Sequence, residues 1–308
     1  MSLQSKVIQI SKVAAIDCGT NSIRLLISEN GKELLRDMEI VKLGEGVDKT
    51  KNFSPIAVER TLAALRKFKV TIDLHGVTKV RFCATSATRD AQNREIFTVP
   101  VTEILGVAPE VIAGSEEAKL SFLGATADLP NGSGPFLVVD IGGGSTEFVF
   151  GVNDVESAIS VDIGCVRMTE RHFTQDPPSL TEINNAKVDI NRAIDEASRV
   201  VSIGSAKTFI AVAGTATTVA AAALELPLYD RDRIHGARVN ATQTAKISEW
   251  LLSLNRSERA ALPYMHPGRV EVIAAGALVL AEIIKRTESS EFMASERDIL
   301  DGIVATLR

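Results

Sequence analysis

The chain has 308 residues, of which 45% are hydrophobic and 24% are charged, and its formal net charge at pH 7 is −5. This composition excludes a disordered or fibrous chain and predicts two globular domains, since a domain typically has about 100–200 residues. The acidic balance argues against a nucleic-acid partner, because proteins that bind nucleic acids normally carry a basic face.

Cysteine and histidine usage gives no sign of a disulfide framework or a metal-binding motif. The three cysteines are scattered and the four histidines show no metal-ligand spacing. No signal sequence is recognised at the N-terminus. The apolar segment 272–284 contains Glu282, so it predicts a buried helix rather than a membrane span. We therefore expect a cytoplasmic protein that has no membrane partner.

The first half of the chain predicts alternating strands and helices. Asn30-Gly31 predicts a hairpin turn, and Ser54-Pro55 predicts a helix start with serine as the N-cap. Val58, Leu62, Leu65 and Phe68 follow at the spacing of one helical face. The predicted elements are strands over 7–16, 23–28, 32–43, 79–85 and 110–114, and helices from residues 55, 86 and 115.

A segment rich in Gly, Pro, Asn and Asp, residues 128–135, is the best candidate for a linker. We therefore predict one domain over 1–127 and a second over 128–308. The second predicted set comprises strands over 136–140, 147–151, 157–164 and 207–214, and helices over 182–202, 215–226, 241–254, 269–286 and 297–307.

The two halves resemble each other in their polar turns. When Asp17 is set over Asp140, Gly19 falls on Gly142, Ser22 on Ser145 and Arg24 on Glu147. Residues 84–88, ATSAT, then match residues 213–217, AGTAT, at nearly the same separation. The alternative is a chance match of short motifs. Duplication predicts two phosphate-binding turns that face each other across a cleft.

The second turn, DIGGGSTE, predicts an anion cradle beside a cation. The backbone N–H groups of Gly142, Gly143 and Gly144, with the hydroxyls of Ser145 and Thr146, can surround a phosphate. The flanking carboxylates of Asp140 and Glu147 would repel that phosphate unless a cation lies between them. Magnesium is the natural candidate, because it prefers oxygen ligands. The alternative is a glycine-rich hairpin without a ligand.

The first turn, DCGTNSIR, is a variation on the same pattern. Asn21 and Ser22 can donate to phosphate oxygens, and Asp17 is a further candidate, beside Asp140 and Glu147, for binding the cation. Arg24 can only donate, and its guanidinium is expected to fork onto phosphate oxygens. The alternative is that Arg24 simply caps the strand that follows.

Two helix starts offer further anion contacts. The first begins after Thr85 and carries Arg89 one turn in, and helix N-termini attract anions. Its counterpart at Gly214 and Thr215 is equally well explained by close packing. For the helix that begins after Thr85, the alternative is an ordinary capped helix on which Arg89 is exposed to solvent.

Adjacent glutamates open the helix before the linker. Neighbouring helical side chains diverge, so only one of Glu116 and Glu117 can face the cleft. A carboxylate facing bound phosphate can orient or deprotonate a water molecule. The alternative is that both glutamates are exposed to solvent in the first turn of the helix and have no catalytic role.

Seven segments in their order resemble the exopolyphosphatase / guanosine pentaphosphate phosphohydrolase family. They are VAAIDCGTNSIRLLI, ATSATRDAQN, IAGSEEAKLSFLGA, VVDIGGGSTEFVFG, AVAGTATTVAA, HGARV and SERDILDGI. The resemblance implies an α/β fold of two similar actin-like (ribonuclease H-like) ATPase-superfamily domains around a cleft. It also implies magnesium-dependent removal of terminal phosphate from inorganic polyphosphate or pppGpp.

The resemblance also implies roles for individual residues. Glu117 matches the catalytic glutamate, and Asp140 and Glu147 match the metal-linked acids. Residues 142–146 match the main phosphate loop, and Asn21, Ser22 and Arg89 match further phosphate contacts.

Exopolyphosphatase activity is the leading expectation, with a pppGpp phosphohydrolase and a non-catalytic polyphosphate or (p)ppGpp sensor as alternatives. An actin-like kinase would need an adenine clamp and an acceptor pocket, for which no signature is recognised. Longer family members carry all-α C-terminal domains, whereas the sequence here ends at Arg308. We therefore expect a preference for short polyphosphate, which a homodimer could offset by joining two clefts.

Overall fold

The computed structural model describes residues 12–130 and 132–307. These residues form two β-sheets flanked by helices. The strands are β1 (Lys12–Cys18), β2 (Ser22–Glu29), β3 (Lys32–Ile40), β4 (Lys79–Ala84), β5 (Glu110–Val111), β6 (Phe136–Ile141), β7 (Thr146–Gly151), β8 (Val155–Val161), β9 (Thr208–Val212), β10 (Arg238–Asn240) and β11 (Glu291–Ala294). Residues 7–11 of the first predicted strand lie outside the described residues.

The helices connect these strands and cover the sheets. They are α1 (Val47–Thr50), α2 (Pro55–Leu74), α3 (Ser86–Asp90), α4 (Glu95–Leu105), α5 (Gly114–Thr126), α6 (Cys165–His172), α7 (Leu180–Ser198), α8 (Ala213–Ala223), α9 (Arg231–Ile234), α10 (Ala241–Ser253), α11 (Arg256–Ala260), α12 (Ile273–Ile284) and α13 (Ile299–Thr306). In the part of the chain that the structure describes, no helix has the length and apolar character needed to cross a bilayer.

Both sheets are built on one plan. Their strand orders are β3-β2-β1-β4-β5 and β10-β11-β9-β6-β7-β8. In each, three consecutive strands form an antiparallel meander and the next strand pairs in parallel with the first of the three. A parallel pair needs a crossover connection, so the carboxyl ends of both central strands lie at one edge of their sheet.

The strand register confirms the predicted duplication residue by residue. Asp17 lies opposite Arg24 across β1 and β2, and Asp140 lies opposite Glu147 across β6 and β7. On the other side, β4 places Cys83 beside Asp17, and β9 places Val212 beside Asp140. The segments that begin at residues 84 and 213 therefore leave their sheets at equivalent points.

Local signals in the first half fold as predicted. Asn30 and Gly31 both have positive φ, of 51° and 86°, as a two-residue type I′ hairpin requires. Helix α2 begins at Pro55 after Ser54, although the Ser54 side chain makes no capping hydrogen bond. The predicted apolar face of α2 is buried in the core of the first sheet.

Helices α5 and α13 cross between the two sheets. Phe122 of α5 packs against the second sheet, whereas Ile303 of α13, near the end of the chain, packs against the first. The crossing is close, because a Cβ on Gly124 would lie 1.9 Å from the Asp298 carbonyl oxygen and one on Gly302 would lie 2.0 Å from that of Leu120. Helix α13 thus packs on the first sheet although it follows the second sheet in the chain, and the domain boundary at 127/128 stays a prediction.

Two parts of the fold differ from the sequence prediction. The helix expected from Ser86 onward is interrupted between α3 and α4, where the Asn93 side chain bonds to the backbone N–H and carbonyl of Phe53 at 2.7 and 3.1 Å. Helix α6 and the short strands β10 and β11 were not predicted from the sequence. The prediction of a buried helix near 272–284 is confirmed by α12, whose residues are all buried.

Candidate active site

A cleft lies between the carboxyl ends of the central strands of the two sheets. Its lining comes from both glycine-containing turns, the starts of α3 and α8, and side chains from α5 and a late loop. The lining includes Asp17, Gly19, Thr20, Asn21, Ser22, Arg24, Thr85, Ser86, Glu117, Asp140, Gly142, Gly143, Gly144, Ser145, Cys165, Gly214 and Arg269.

The glycines of the second turn permit close contact with the first half of the molecule. A Cβ on Gly143 would lie 2.8 Å from the Thr20 Cβ, and one on Gly144 would lie 2.5 Å from the Ser86 Oγ. The sequence interpretation assigned these glycines to close approach of a phosphate. In the structure, contact between the two turns also excludes a larger residue at both positions.

The backbone of the second turn presents unpaired donors. The carbonyl oxygens of Gly142 and Gly143 accept from the N–H groups of Cys165 and Val166, both at 2.9 Å, at the start of α6. The Gly144 carbonyl accepts from Arg167 Nε at 2.6 Å.

A trans peptide points its N–H away from its C=O. The N–H groups of Gly143, Gly144 and Ser145 therefore face away from α6, and they have no acceptor within residues 12–130 and 132–307. Such a run of N–H groups is an anion-binding nest.

Glu117 is the glutamate that faces the cleft. It is 8% exposed, and it accepts a hydrogen bond from Arg89 Nη1 at 2.6 Å. Burial raises the pKa of Glu117 to about 7, against the opposing effect of Arg89, and the charges of Asp17 and Asp140 raise it further. A buried carboxylate with a pKa near neutrality suits a general base.

Glu116 diverges from Glu117 as expected. Its side chain is 41% exposed and lies 3.3 Å from Arg81 Nη2 at the edge of the first sheet. Arg89, predicted as a phosphate contact, instead holds Glu117 and the Ile112 carbonyl oxygen, the latter at 3.0 Å.

The predicted metal-linked acids are buried, and each has its own polar partner. Asp140 accepts from Ser121 Oγ at 2.7 Å, and burial raises its pKa to about 6. Glu147 accepts from Ser145 Oγ and Ser160 Oγ, both at 2.7 Å. Burial, together with the charges of Glu117 and Asp140, raises its pKa well above the ordinary value.

The carboxylates of Asp140 and Glu147 suit a hard cation that is bound jointly by protein carboxylates and substrate phosphates. Within the described chain, no three His, Cys, Asp or Glu side chains form a group that could hold a metal by themselves. Magnesium commonly uses one or two carboxylates together with substrate phosphates and water. Burial, with a smaller contribution from neighbouring carboxylates, raises the pKa values of Asp140 and Glu147, and a nearby divalent cation favours the charged form of such groups.

The first turn is followed by a positively charged side chain, that of Arg24. Arg24 donates to Asp17 from Nε at 3.0 Å and from Nη2 at 2.6 Å, and its Nη1 donates to Asp298. Burial raises the pKa of Asp17 despite this contact. Arg24 was expected to fork onto phosphate, but it is already shared between two carboxylates. Asp298, the N-cap of α13, was not identified as a site residue from the sequence.

Arg269 is the other residue that sequence reasoning missed. It lines the cleft and forms no ion pair with any carboxylate of the described residues. Burial lowers its pKa. Its guanidinium lies so close to Gly214 that a Cβ there would come within 1.2 Å of Nη1. Gly214 thus makes room for the half-buried guanidinium of Arg269, which has no acid partner among the described residues.

Several predicted site residues face elsewhere. Thr146 is fully buried and donates to the Ile163 carbonyl oxygen at 3.0 Å. Thr215 faces α12, where a Cβ on Gly276 would lie 2.5 Å from its Oγ1. Glu147 lies beneath Ser145 rather than in the lining of the cleft.

Asn21, in contrast, lines the cleft, and its Nδ2 donates to the Gly268 carbonyl oxygen at 3.3 Å.

Beyond Arg24 and Arg269 the cleft continues into a second chamber. Its walls include Tyr229, Tyr264 and Met265. Its volume is about 470 Å³, and its aromatic walls differ from the polar lining around the two turns.

Comparison with known proteins agrees with this geometry. Residues 27–307 match the family model described as the Ppx/GppA phosphatase family. The chain belongs to this family. It is 43% identical to a Mycobacterium tuberculosis protein named exopolyphosphatase 2, and the match covers 97% of this chain and 99% of that protein.

Two crystal structures are close matches across nearly the whole chain. An exopolyphosphatase-like protein is 44% identical with a TM-score of 0.93, over 96% of this chain and 98% of its own. The Aquifex aeolicus Ppx/GppA family member is 30% identical with a TM-score of 0.81, over 97% of each chain. The predicted α/β class, with two similarly built units around a cleft, is confirmed, and the actin-like assignment of these units stays a prediction.

Proposed function

We propose that this chain is an exopolyphosphatase that hydrolyses the terminal phosphoanhydride of inorganic polyphosphate and releases orthophosphate. Family membership and the similarity to exopolyphosphatase 2 support the substrate class. The observation that carries the proposal is the pairing of buried Glu117 with the unpaired N–H groups of residues 143–145 in one cleft.

In the proposed reaction, the turn N–H groups and Arg269 bind the oxygens of the terminal phosphoryl group. Glu117 accepts a proton from a water molecule as the water oxygen attacks the terminal phosphorus. The bond from that phosphorus to the bridging oxygen breaks, and the shortened chain leaves with the bridging oxygen. Positioning and charge stabilisation supply most of the rate enhancement in such a transfer.

Magnesium is the cofactor that we propose. Asp140 would hold it alongside substrate phosphates, and Glu147, which lies beneath Ser145, would support the site from behind the turn. When bound, magnesium would neutralise charge on the acids and on the phosphate oxygens. Asp17 is the weaker candidate among the three predicted acids, because Arg24 already pairs with it.

We further propose that the enzyme is cytoplasmic and has no nucleic-acid partner. Cys18, Cys83 and Cys165 are all free and buried, as expected in a reducing compartment. A homodimer stays a prediction.

The adjacent glutamates give the matched test of this proposal. Glu117→Gln keeps the side-chain shape but cannot accept the proton, so phosphate release from tripolyphosphate should fall about 10²–10⁴-fold. Glu116→Gln should stay close to wild type, since that side chain faces Arg81 and not the cleft. Circular dichroism checks that both variants fold. If Glu117→Gln retained full activity, the general-base role would be wrong.

Substrate comparison separates the remaining alternatives. Phosphate release should be measured from short polyphosphate, long polyphosphate and pppGpp with the same enzyme preparation. Faster release from pppGpp would favour the phosphohydrolase alternative, and binding without release would favour a sensor. Transfer of phosphate from ATP to an added acceptor would indicate a kinase.

A further inference from the structure

Arg167 contacts the glycine run from behind. It lies in the first turn of α6, its side chain is 4% exposed, and its Nε donates to the Gly144 carbonyl oxygen at 2.6 Å. It is absent from the lining of the cleft, so it has no direct contact with a phosphate bound there.

The other end of the same guanidinium reaches the first half of the molecule. Nη1 donates to Asp48 of α1, and Nη2 donates to Asp90 at the end of α3. Nη2 also lies 3.4 Å from the Ser86 Oγ at the start of α3. One side chain therefore holds α3 and the second turn together.

The contacts on α3 extend to the proposed general base. Arg89 is the neighbour of Asp90, and it holds Glu117 at 2.6 Å. A shift of α3 would move Arg89 and Glu117, while a rotation of the Gly144 peptide would turn the Ser145 N–H away from the cleft.

We propose that Arg167 is a positioning residue that aligns the N–H donors of the second turn with the Arg89–Glu117 pair across the cleft. This inference rests on the proposed function. Only a guanidinium has donors spaced in a planar fork that can satisfy a carbonyl and two carboxylates at once. A lysine at this position retains the charge but loses that geometry.

The competing explanation is an ordinary buried ion pair that only stabilises the fold. Arg171 provides the matched control, since it lies one turn further along α6 and binds the same Asp48, with Nε 2.7 Å from Oδ2. Its side chain is 30% exposed, and it makes no hydrogen bond to the glycine run in the described structure.

The test compares Arg167→Met, Arg167→Lys and Arg171→Met. For each variant, kcat and KM for phosphate release from tripolyphosphate are measured well below its melting temperature, which circular dichroism provides. We expect kcat to fall about 10²-fold in Arg167→Met and at least about tenfold in Arg167→Lys, because small misplacements of donors are costly in the transition state. KM should change much less, and Arg171→Met should stay within about twofold of wild type.

Equal kcat values in Arg167→Lys and Arg171→Met, with only the melting temperatures lowered, would overturn the positioning role. If wild type releases no phosphate, the proposed function fails instead, and calorimetry with tripolyphosphate takes the place of kinetics. Positioning then predicts about 2–5-fold weaker tripolyphosphate binding in Arg167→Lys than in Arg171→Met, which is the cost of one weakened hydrogen bond in the ground state, and equal binding would contradict it.

Discussion

The turns over residues 19–22 and 142–145 share a backbone hydrogen bond, but they differ in the charge of the residue that lies opposite their aspartate. In both, the N–H of the first residue donates to the carbonyl oxygen of the last at 3.0 Å. In both, an aspartate lies across the strand pair from the same position, which is Arg24 in the first turn and Glu147 in the second. The duplicated fold thus has one carboxylate–guanidinium pair at the first turn and one carboxylate–carboxylate pair at the second.

This difference separates the tasks of the two turns. Asp17 is paired with Arg24, although burial still raises its pKa, so the first turn has less need of an external cation. Asp140 and Glu147 have raised pKa values because both are buried near further carboxylates. The second turn therefore gains most from a bound divalent cation. N–H groups without an acceptor in the described residues occur in both turns, at Thr20 and Asn21 in the first and at residues 143–145 in the second.

The largest expected effect is loss of the metal. Excess EDTA should reduce phosphate release to background, and added Mg²⁺ should restore it. Glu147→Gln should raise the Mg²⁺ concentration for half-maximal activity by roughly tenfold or more, as loss of support at metal sites typically does. Glu156→Gln, an exposed acid on β8, is the control and should leave this concentration unchanged. Full activity in EDTA would contradict the metal requirement.

The next effect concerns the cations of the cleft, and it contrasts Arg269 with Arg231. Arg269→Met should lower kcat/KM about 10–100-fold, since a charge-assisted hydrogen bond contributes about 1.5–3 kcal/mol. Arg231 lines the second chamber but already pairs with Glu33 and Glu296, so Arg231→Met should cost less than about threefold. Steady-state kinetics with tripolyphosphate measures both, and equal losses would remove the distinction between paired and unpaired cations.

The pH dependence tests Glu117 more finely. Only the deprotonated carboxylate can accept a proton, and its pKa is raised to about 7. Accordingly, kcat should rise with pH through neutrality and fall about tenfold per unit below it. Glu117→Gln should have a low and flat profile over this range. A wild-type profile that is flat from pH 5 to about 8 would rule out Glu117 as the titrating base.

The smallest effect compares glycines in the two turns. A Cβ on Gly19 would have no neighbour closer than 3.7 Å, whereas one on Gly143 would lie 2.8 Å from Thr20 Cβ. Chemical denaturation should show Gly19→Ala within about 0.5 kcal/mol of wild type and Gly143→Ala destabilised by about 1–3 kcal/mol. Equal stabilities would show that the turns are not in such close contact.

Sequence reasoning succeeded where function depends on local pattern. The match of Asp17 to Asp140 is reproduced in the strand register, and the divergence of Glu116 from Glu117 follows from helical geometry. Thr146 was assigned to the cleft wrongly, since side chains alternate along a strand and its neighbour Ser145 takes the cleft side.

Residues that reach the site from distant loops could not be predicted in this way. Arg269 lies in a short 3₁₀ turn, Pro267–Arg269, before α12, and its role depends on packing against Gly214. Asp298 reaches Arg24 only because α13 returns to the first sheet. No periodic pattern near either residue indicates these long-range contacts.

The central claim, attack of a Glu117-activated water on the terminal phosphorus, is tested most directly by isotope labelling. Tripolyphosphate is hydrolysed in ¹⁸O-labelled water, and mass spectrometry locates the label after a single turnover. The account predicts one solvent oxygen in the released orthophosphate and none in the pyrophosphate that remains, with the yield of labelled orthophosphate in a fixed time at least about 100-fold lower in Glu117→Gln. Label in the pyrophosphate, or an unchanged yield of labelled orthophosphate in Glu117→Gln, would contradict it.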